Sequence, residues 1–390
     1  MPPKVGYVTI ENIYAEGKWC KNEYGHISNA LSIANMLADS QFPTTFLGPL
    51  PNPRLISQLK SKIYNKLSGK RLLPQFESSL LKRQADHIGN QANKNNIDVL
   101  LGNTTRPFAA LRTKLPIIVW RDSTFAGALE VHRDFANTSA RSIKLGHETE
   151  KAALENCRLA LFRSQWAADS AINDYDIDPA KVHVLRTGGN IKHVYPREQI
   201  SEIVSNRSEE ICELLFIGVN WKMKGGDTVV EIAQRLVNTG LKVRLTIVGD
   251  KPPVQLSLPS NTVVTGFIDI CSDSGRKMTE TLFSRSHFLL FPSRVDTYGN
   301  VLAEATAFGV PCLASKQAGI PSIIRDGING HLIPTDDQEI DGYCEYIEKH
   351  MQHYDRYSSL ALSAYDEYRS TLAWDIIRPQ LAEFIKSVST

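Results

Sequence analysis

Along the chain, short runs rich in Val, Ile, Leu and Phe alternate with longer stretches whose apolar positions recur at helical spacing. In the first half the runs are VGYVTI (5–10), TTFLG (44–48), IDVLLG (97–102), IIVW (117–120), LALFRS (159–164) and VHVLRT (182–187). In the second they are ELLFIG (213–218), VRLTIVG (243–249), TVVTGF (262–267), FLLFPS (288–293), PCLAS (311–315) and HLIP (331–334). A run apolar at successive positions is a strand covered on both faces, and strands separated by helical segments pair in parallel. The pattern predicts an α/β fold of two doubly wound, Rossmann-like domains facing each other across a cleft. The polar, strand-free stretch IKHVYPREQISEIVSNRSEE (191–210) reads as a linker, which bounds the domains at 1–190 and 211–372. The final segment, 373–390, is a C-terminal helix able to pack on either domain, including back on the N-terminal one.

Ligands of doubly wound sheets sit beyond the carboxyl ends of the strands, so the residues just after each run are the candidates. After FLLFPS, the loop RVDTYGN leads into VLAEATAF, a helix stopped by Gly309 ahead of Pro311. Asp296 then lies just beyond the strand, and Glu304 about one turn into the helix. The amides of Tyr298, Gly299 and Asn300, with Thr297 beside them, open that helix without intrahelical partners. Gly299 also lets a ligand approach the backbone, which makes a phosphate seat. A carboxylate at Glu304 suits ribose hydroxyls, and one at Asp296 suits sugar hydroxyls. The same spacing fits a plain loop aspartate and an early-helix glutamate favoured by the helix dipole. Lys224, in MKGG, precedes another helix start, which would repel a cation unless an anion lay between them; the alternative is a solvated lysine.

Taken in order, these motifs resemble the retaining glycosyltransferases of family 4. A carboxylate, seven residues, then Glu, with aromatic-Gly between them and GVP after the helix, is similar to that family's signature. FIGVNWKMKGGDTVVEIAQRL, IVGD and AGIPSIIRDGINGHLIP are similar to its other second-half motifs. In the first half, IIVWRDSTF, FRSQWAADSAINDYDIDPAKVHVL and GGN resemble the acceptor-side domain of some bacterial members. The resemblance implies a GT-B fold and transfer of a hexose from a nucleotide-sugar (UDP- or GDP-sugar) to a hydroxyl acceptor, with retention and without a metal or other cofactor. Asp296 would touch the donor sugar, Glu304 the ribose, and Lys224 the diphosphate. Gly218, Gly249 and Phe267 fall at strand ends on the donor side, with base contacts expected near TGFIDI; Gly25, in the long loop after the first strand, matches a loop that closes over the diphosphate. The pattern also departs from the family. Val219 follows Gly218 where many members have Arg, so Lys222 stands in; the first acid is Asp rather than Glu; and VWRDSTF offers Arg121 and Asp122 where many members have His. Asp122 suits either a catalytic role toward the acceptor or a cap for the helix after IIVW. The glycine pair in RTGGN (186–190) suits a hinge.

Composition narrows the competing readings. Lys and Arg total 44 against 42 Asp and Glu, a net +2, which is too balanced for a protein that coats nucleic acid. The six cysteines form no C-x-x-C pair, and no signal peptide or long apolar span is visible, which points to the cytoplasm. Residues 51–84 instead concentrate a local +7, with Glu77 as their one acid; this suits either peripheral membrane contact or a solvated helical face. Asp174, Asp176 and Asp178 in NDYDIDPA have metal-loop spacing, but Pro179 stands where a calcium loop needs glycine and Leu185 where it needs an acid. No metal is expected, and the segment reads as a helix-to-strand turn. The acceptor, whether saccharide, lipid-linked or protein, is left open. Two other readings use the same sheets: a nucleotide-sugar-binding protein without catalysis, and a NAD-dependent oxidoreductase. The oxidoreductase lacks the G-x-G-x-x-G fingerprint after the first strand.

Overall fold

The computed structural model describes residues 1–14, 24–131, 135–191, 193–294 and 296–389, the side chains of 24–26 excepted. All twelve apolar runs form strands: β1 (Val5–Val8), β2 (Thr44–Phe46), β3 (Val99–Gly102), β4 (Ile117–Arg121), β5 (Leu159–Phe162), β6 (Val182–Val184), β7 (Cys212–Gly218), β8 (Val243–Gly249), β9 (Thr262–Gly266), β10 (Phe288–Phe291), β11 (Cys312–Ser315) and β12 (Gly330–Ile333). The helices of the first half are α1 (Tyr24–Ala38), α2 (Leu55–Ser68), α3 (Ser78–Lys94), α4 (Phe125–Val131), α5 (Ala140–Asn156) and α6 (Gln165–Tyr175). Those of the second are α7 (Arg197–Ser205), α8 (Gly226–Asn238), α9 (Asp273–Arg285), α10 (Asn300–Thr306), α11 (Glu339–Gln352), α12 (Tyr354–Thr371) and α13 (Trp374–Val388).

The described residues divide into two compact units, 1–14 with 24–186 and 377–389, and 187–376. Each holds one parallel six-stranded sheet, ordered β2-β1-β3-β4-β5-β6 in the first unit and β12-β11-β10-β7-β8-β9 in the second. Successive side chains of a strand point to opposite faces, and here both faces are covered. In β7, Leu214 and Phe216 enter a core with Val229, Ile232 and Leu236 of α8. Leu215 faces the other way, into a core with Leu302 and Ala305 of α10. Each such side chain contributes about 1.5–3 kcal/mol by leaving water. The first unit has its own core, in which Leu100, Val119 and Phe162 meet Ile88 of α3 and Leu154 of α5.

The expected linker at 191–210 is not one. It contains α7, which buries Ile200 and Val204 in the core of the second unit. A short helix with two buried anchors four residues apart, joined at the core edge only by the half-buried Ile203, is polar at its remaining positions, so its sequence looks like a connection. The chain passes between units at 186/187 and again inside α13, at 376/377. Within the first unit, the C-terminal part of α13 meets β6 through Phe384 and His183, 5.0 Å between ring centres, and pairs Arg378 with Asp39 at 3.7 Å.

Candidate functional site

In the second unit, β7 lies between β10 and β8, and the strand order runs outward from it in both directions. Loops leaving β7 and β10 therefore diverge and open a crevice at their carboxyl ends. Gly218 ends β7 in register with Gly249, the last residue of β8. Gly249 has φ +108°, and a Cβ there would lie 2.0 Å from the Gly218 carbonyl oxygen, so only glycine lets the two loops approach this closely. Asp250 then accepts hydrogen bonds from the amides of Asn220 and Trp221, tightening the turn that delivers Lys224.

That turn is stitched to the β10 loop. Arg294 N donates to Met223 O at 2.8 Å, and Gly225, at φ +75°, packs where a Cβ would meet Pro292 O at 2.0 Å. The result is a salt bridge: Lys224 Nζ donates to Asp296 Oδ2 at 2.6 Å, with both side chains largely buried. The ammonium also lies 5.6 Å from the centre of the Phe291 ring. The two ionic residues read from sequence as sugar and diphosphate contacts are thus direct partners. The anion expected between Lys224 and a helix start is supplied in part by the protein itself.

One of the expected amide roles changes. Tyr298 N donates to Asp296 Oδ1 at 3.0 Å, which removes it from the phosphate seat. The Tyr298 side chain is buried instead, its hydroxyl accepting from Thr187 N at 2.8 Å and donating to Thr187 O at 2.9 Å. It latches the segment after the unit boundary onto the start of α10. Among the described residues, Gly299, at φ +90°, and Asn300 keep amides without a backbone acceptor. Thr297 is buried beside them.

Glu304 lies one turn into α10, as expected, and its Oε1 accepts from both Asn190 N and Asn190 Nδ2 at 2.9 Å. Burial pushes its carboxyl above the usual range, and the two Asn190 bonds oppose that shift. Glu304 also lines a small pocket of about 30 Å³ with Asn190, Arg276, Thr279 and Glu280. Asn190 escaped the sequence reading, which took GGN as a family-like motif and a hinge and gave its asparagine no role. The glycine pair has a packing reason as well. A Cβ on Gly188 would meet Leu372 O at 2.2 Å, and one on Gly189, at φ +70°, would meet Glu304 Cγ at 2.8 Å.

Lys222 is exposed on the turn, and Phe267 is exposed beyond β9. Gly25 and Asp122 belong to the first unit. Gly25 sits in the first turn of α1 rather than in a loop, and residues 15–23 of that expected loop lie outside the described residues. Asp122 follows β4, but Thr124 is the cap: its Oγ1 accepts from Gly127 N at 3.1 Å. The three aspartates with metal-loop spacing each have a structural partner. Asp174 accepts from Ser170 Oγ, Asp176 pairs with Lys151 at 3.2 Å, and Asp178 accepts from Ala180 N.

The family of glycosyl transferases group 1 matches residues 212–353, the sheet that carries Lys224, Asp296 and Glu304. Over its whole length the chain superimposes on the sucrose-phosphate synthase of Thermosynechococcus elongatus, with a TM-score of 0.71, 16% identity and coverage of 100% of this chain and 99% of that one. HepE of Anabaena, solved with UDP and glucose, gives a TM-score of 0.62 at 16% identity, covering 99% and 100%. The fold is GT-B. Sequence relatives include an uncharacterised 41.2 kDa protein of the cps region of Klebsiella pneumoniae, 27% identical over 46% of this chain and 49% of its own length. A D-inositol 3-phosphate glycosyltransferase of Mycobacteroides abscessus is 22% identical over 48% and 43%. The chain thus spans about half the length of the curated relatives it matches. Within a GT-B protein, the group 1 match falls on the unit that carries the ammonium and both carboxylates.

Proposed function

We propose that the protein is a retaining glycosyltransferase of family 4 that takes a hexose from a nucleotide-sugar and passes it to a hydroxyl acceptor without a metal. The observation that carries the reading is the Lys224–Asp296 pair at the β7/β10 switch point, with Glu304 one turn into the next helix. The group 1 match over 212–353 supports it, as do solved GT-B neighbours holding UDP, UDP-glucose, or UDP with GlcNAc.

In the reaction the bond between the anomeric carbon and the diphosphate oxygen breaks, and negative charge grows on the leaving group. Lys224 neutralises that charge, aided by the amides of Gly299 and Asn300, and a group already in place costs no reorganisation. Asp296 orients Lys224 and meets the donor sugar, while Glu304 accepts from the ribose hydroxyls. The acceptor hydroxyl attacks the anomeric carbon from the face the diphosphate leaves, a new C–O bond forms with retention, and a phosphate oxygen takes the acceptor's proton. Lys224 supplies the cation that a metal would otherwise provide, so a chelator should leave turnover unchanged. A thermal-shift screen of UDP-, GDP- and ADP-sugars tests the reading. At least one donor class raises the melting temperature; if none does, the proposal fails.

A further inference from the structure

The basic segment of the first unit forms a helix turned inside out. No residue of α2 is buried. Its apolar side chains Leu55, Leu59, Ile63 and Leu67 recur every four residues, which aligns them as one stripe, and Ile56 widens it. All five face solvent, Leu55 and Leu67 at 82% exposure. The polar edge is what holds the helix. Ser57 Oγ donates to Glu77 Oε2 at 2.7 Å and Ser61 Oγ to Leu72 O at 2.8 Å, both from the side opposite the stripe. An amphipathic helix of a globular protein buries its apolar stripe; α2 is fastened by serines and presents the stripe outward.

We propose that α2 seats the first unit on an anionic lipid bilayer. Charge selects this occupant. Lys60, Lys62 and Lys66 run along the stripe, with Arg54 before the helix and Lys70 after it, and all five are exposed. No ion pair of these five occurs among the described residues. A second copy of the chain would set the same lysines against one another, because a two-fold interface is self-complementary. Lipid meets both halves of the pattern. The stripe enters the boundary between headgroups and acyl chains while the lysine stems lie along it and lift their ammonium groups to the phosphates. No described helix is long and apolar enough to cross a membrane, so α2 lies in the interface plane. α2 belongs to the first unit and the candidate donor site to the second.

The test is co-sedimentation of the full chain with vesicles of phosphatidylcholine alone or mixed with phosphatidylglycerol. The protein pellets with the anionic vesicles, and added salt releases it. Leu59→Asp with Ile63→Asp abolishes pelleting without lowering the melting temperature, since both side chains are exposed. Lys60→Ala with Lys66→Ala lowers the partition coefficient roughly thirtyfold, at roughly fivefold per lysine near a charged surface. Equal pelleting with phosphatidylcholine alone, absence of pelleting with either vesicle, or pelleting that survives both variants overturns the proposal. Light scattering that finds a dimer dissolved by the Leu59 and Ile63 changes overturns it too, because the stripe would then be an interface between copies.

Discussion

Lys224 and Asp296 neutralise one another at 2.6 Å, so under the proposed function an entering diphosphate would compete with a carboxylate already in place. Asp296→Asn removes that competitor while nearly preserving the shape. The variant is expected to bind a nucleoside diphosphate more tightly than the wild type by titration calorimetry, yet to transfer sugar more slowly, because the oriented ammonium and the sugar contact are both lost. Tighter binding with undiminished turnover would leave Asp296 without a role in the reaction. Glu304 has a different role in the proposed function, holding the ribose. Ribose does not change during transfer, so binding it stabilises ground and transition states alike. Glu304→Ala should raise KM roughly tenfold to a hundredfold with kcat nearly kept, the range for a hydrogen bond to a charged group. A fall in kcat at unchanged KM would contradict that role. Position along the sequence sufficed to place these residues, but their partners were hidden. Asn190 meets Glu304 across 114 residues, and Thr187 meets Tyr298 across 111, separations that no local pattern encodes.

At the scale of elements, the strands were legible because parallel strands buried on both faces read as unbroken apolar runs. The burial around β10 also takes in a titratable group. His287, just before the strand, is fully buried; its Nδ1 accepts from Glu213 N at 3.0 Å, and its other ring nitrogen lies 3.2 Å from the Tyr354 hydroxyl. Burial, with Arg207 adding to it, pushes the imidazole from 6.5 down to about 3. Between those values the unfolded chain holds a proton that the folded one does not. Stability is therefore full above pH 6.5 and is lost as pH falls toward about 3. His287→Gln should flatten that part of the dependence of melting temperature on pH; an unchanged slope would show that other groups carry it. Helix α7 was illegible for the opposite reason, since Ile200 and Val204 are its only buried residues. The serine-held face of α2 was equally hidden, because a basic amphipathic sequence does not say which of its sides the protein covers.

For the whole molecule, a net +2 conceals an uneven layout, with +7 gathered in residues 51–84 and the candidate donor site on the other unit. Both sheets were legible as Rossmann-like, and the family match covers the second, where glycine, lysine and carboxylate positions are set by backbone close approach. The central claim is that the β7/β10 switch point of this second sheet seats a nucleoside diphosphate on Lys224. Titration calorimetry of UDP, GDP and ADP into the wild type and Lys224→Met tests it most directly. At least one nucleotide should bind the wild type and bind Lys224→Met roughly tenfold or more weakly, as loss of one charge-assisted contact predicts. Equal affinity in the two proteins, or no affinity of the wild type for any of the three, would contradict the account.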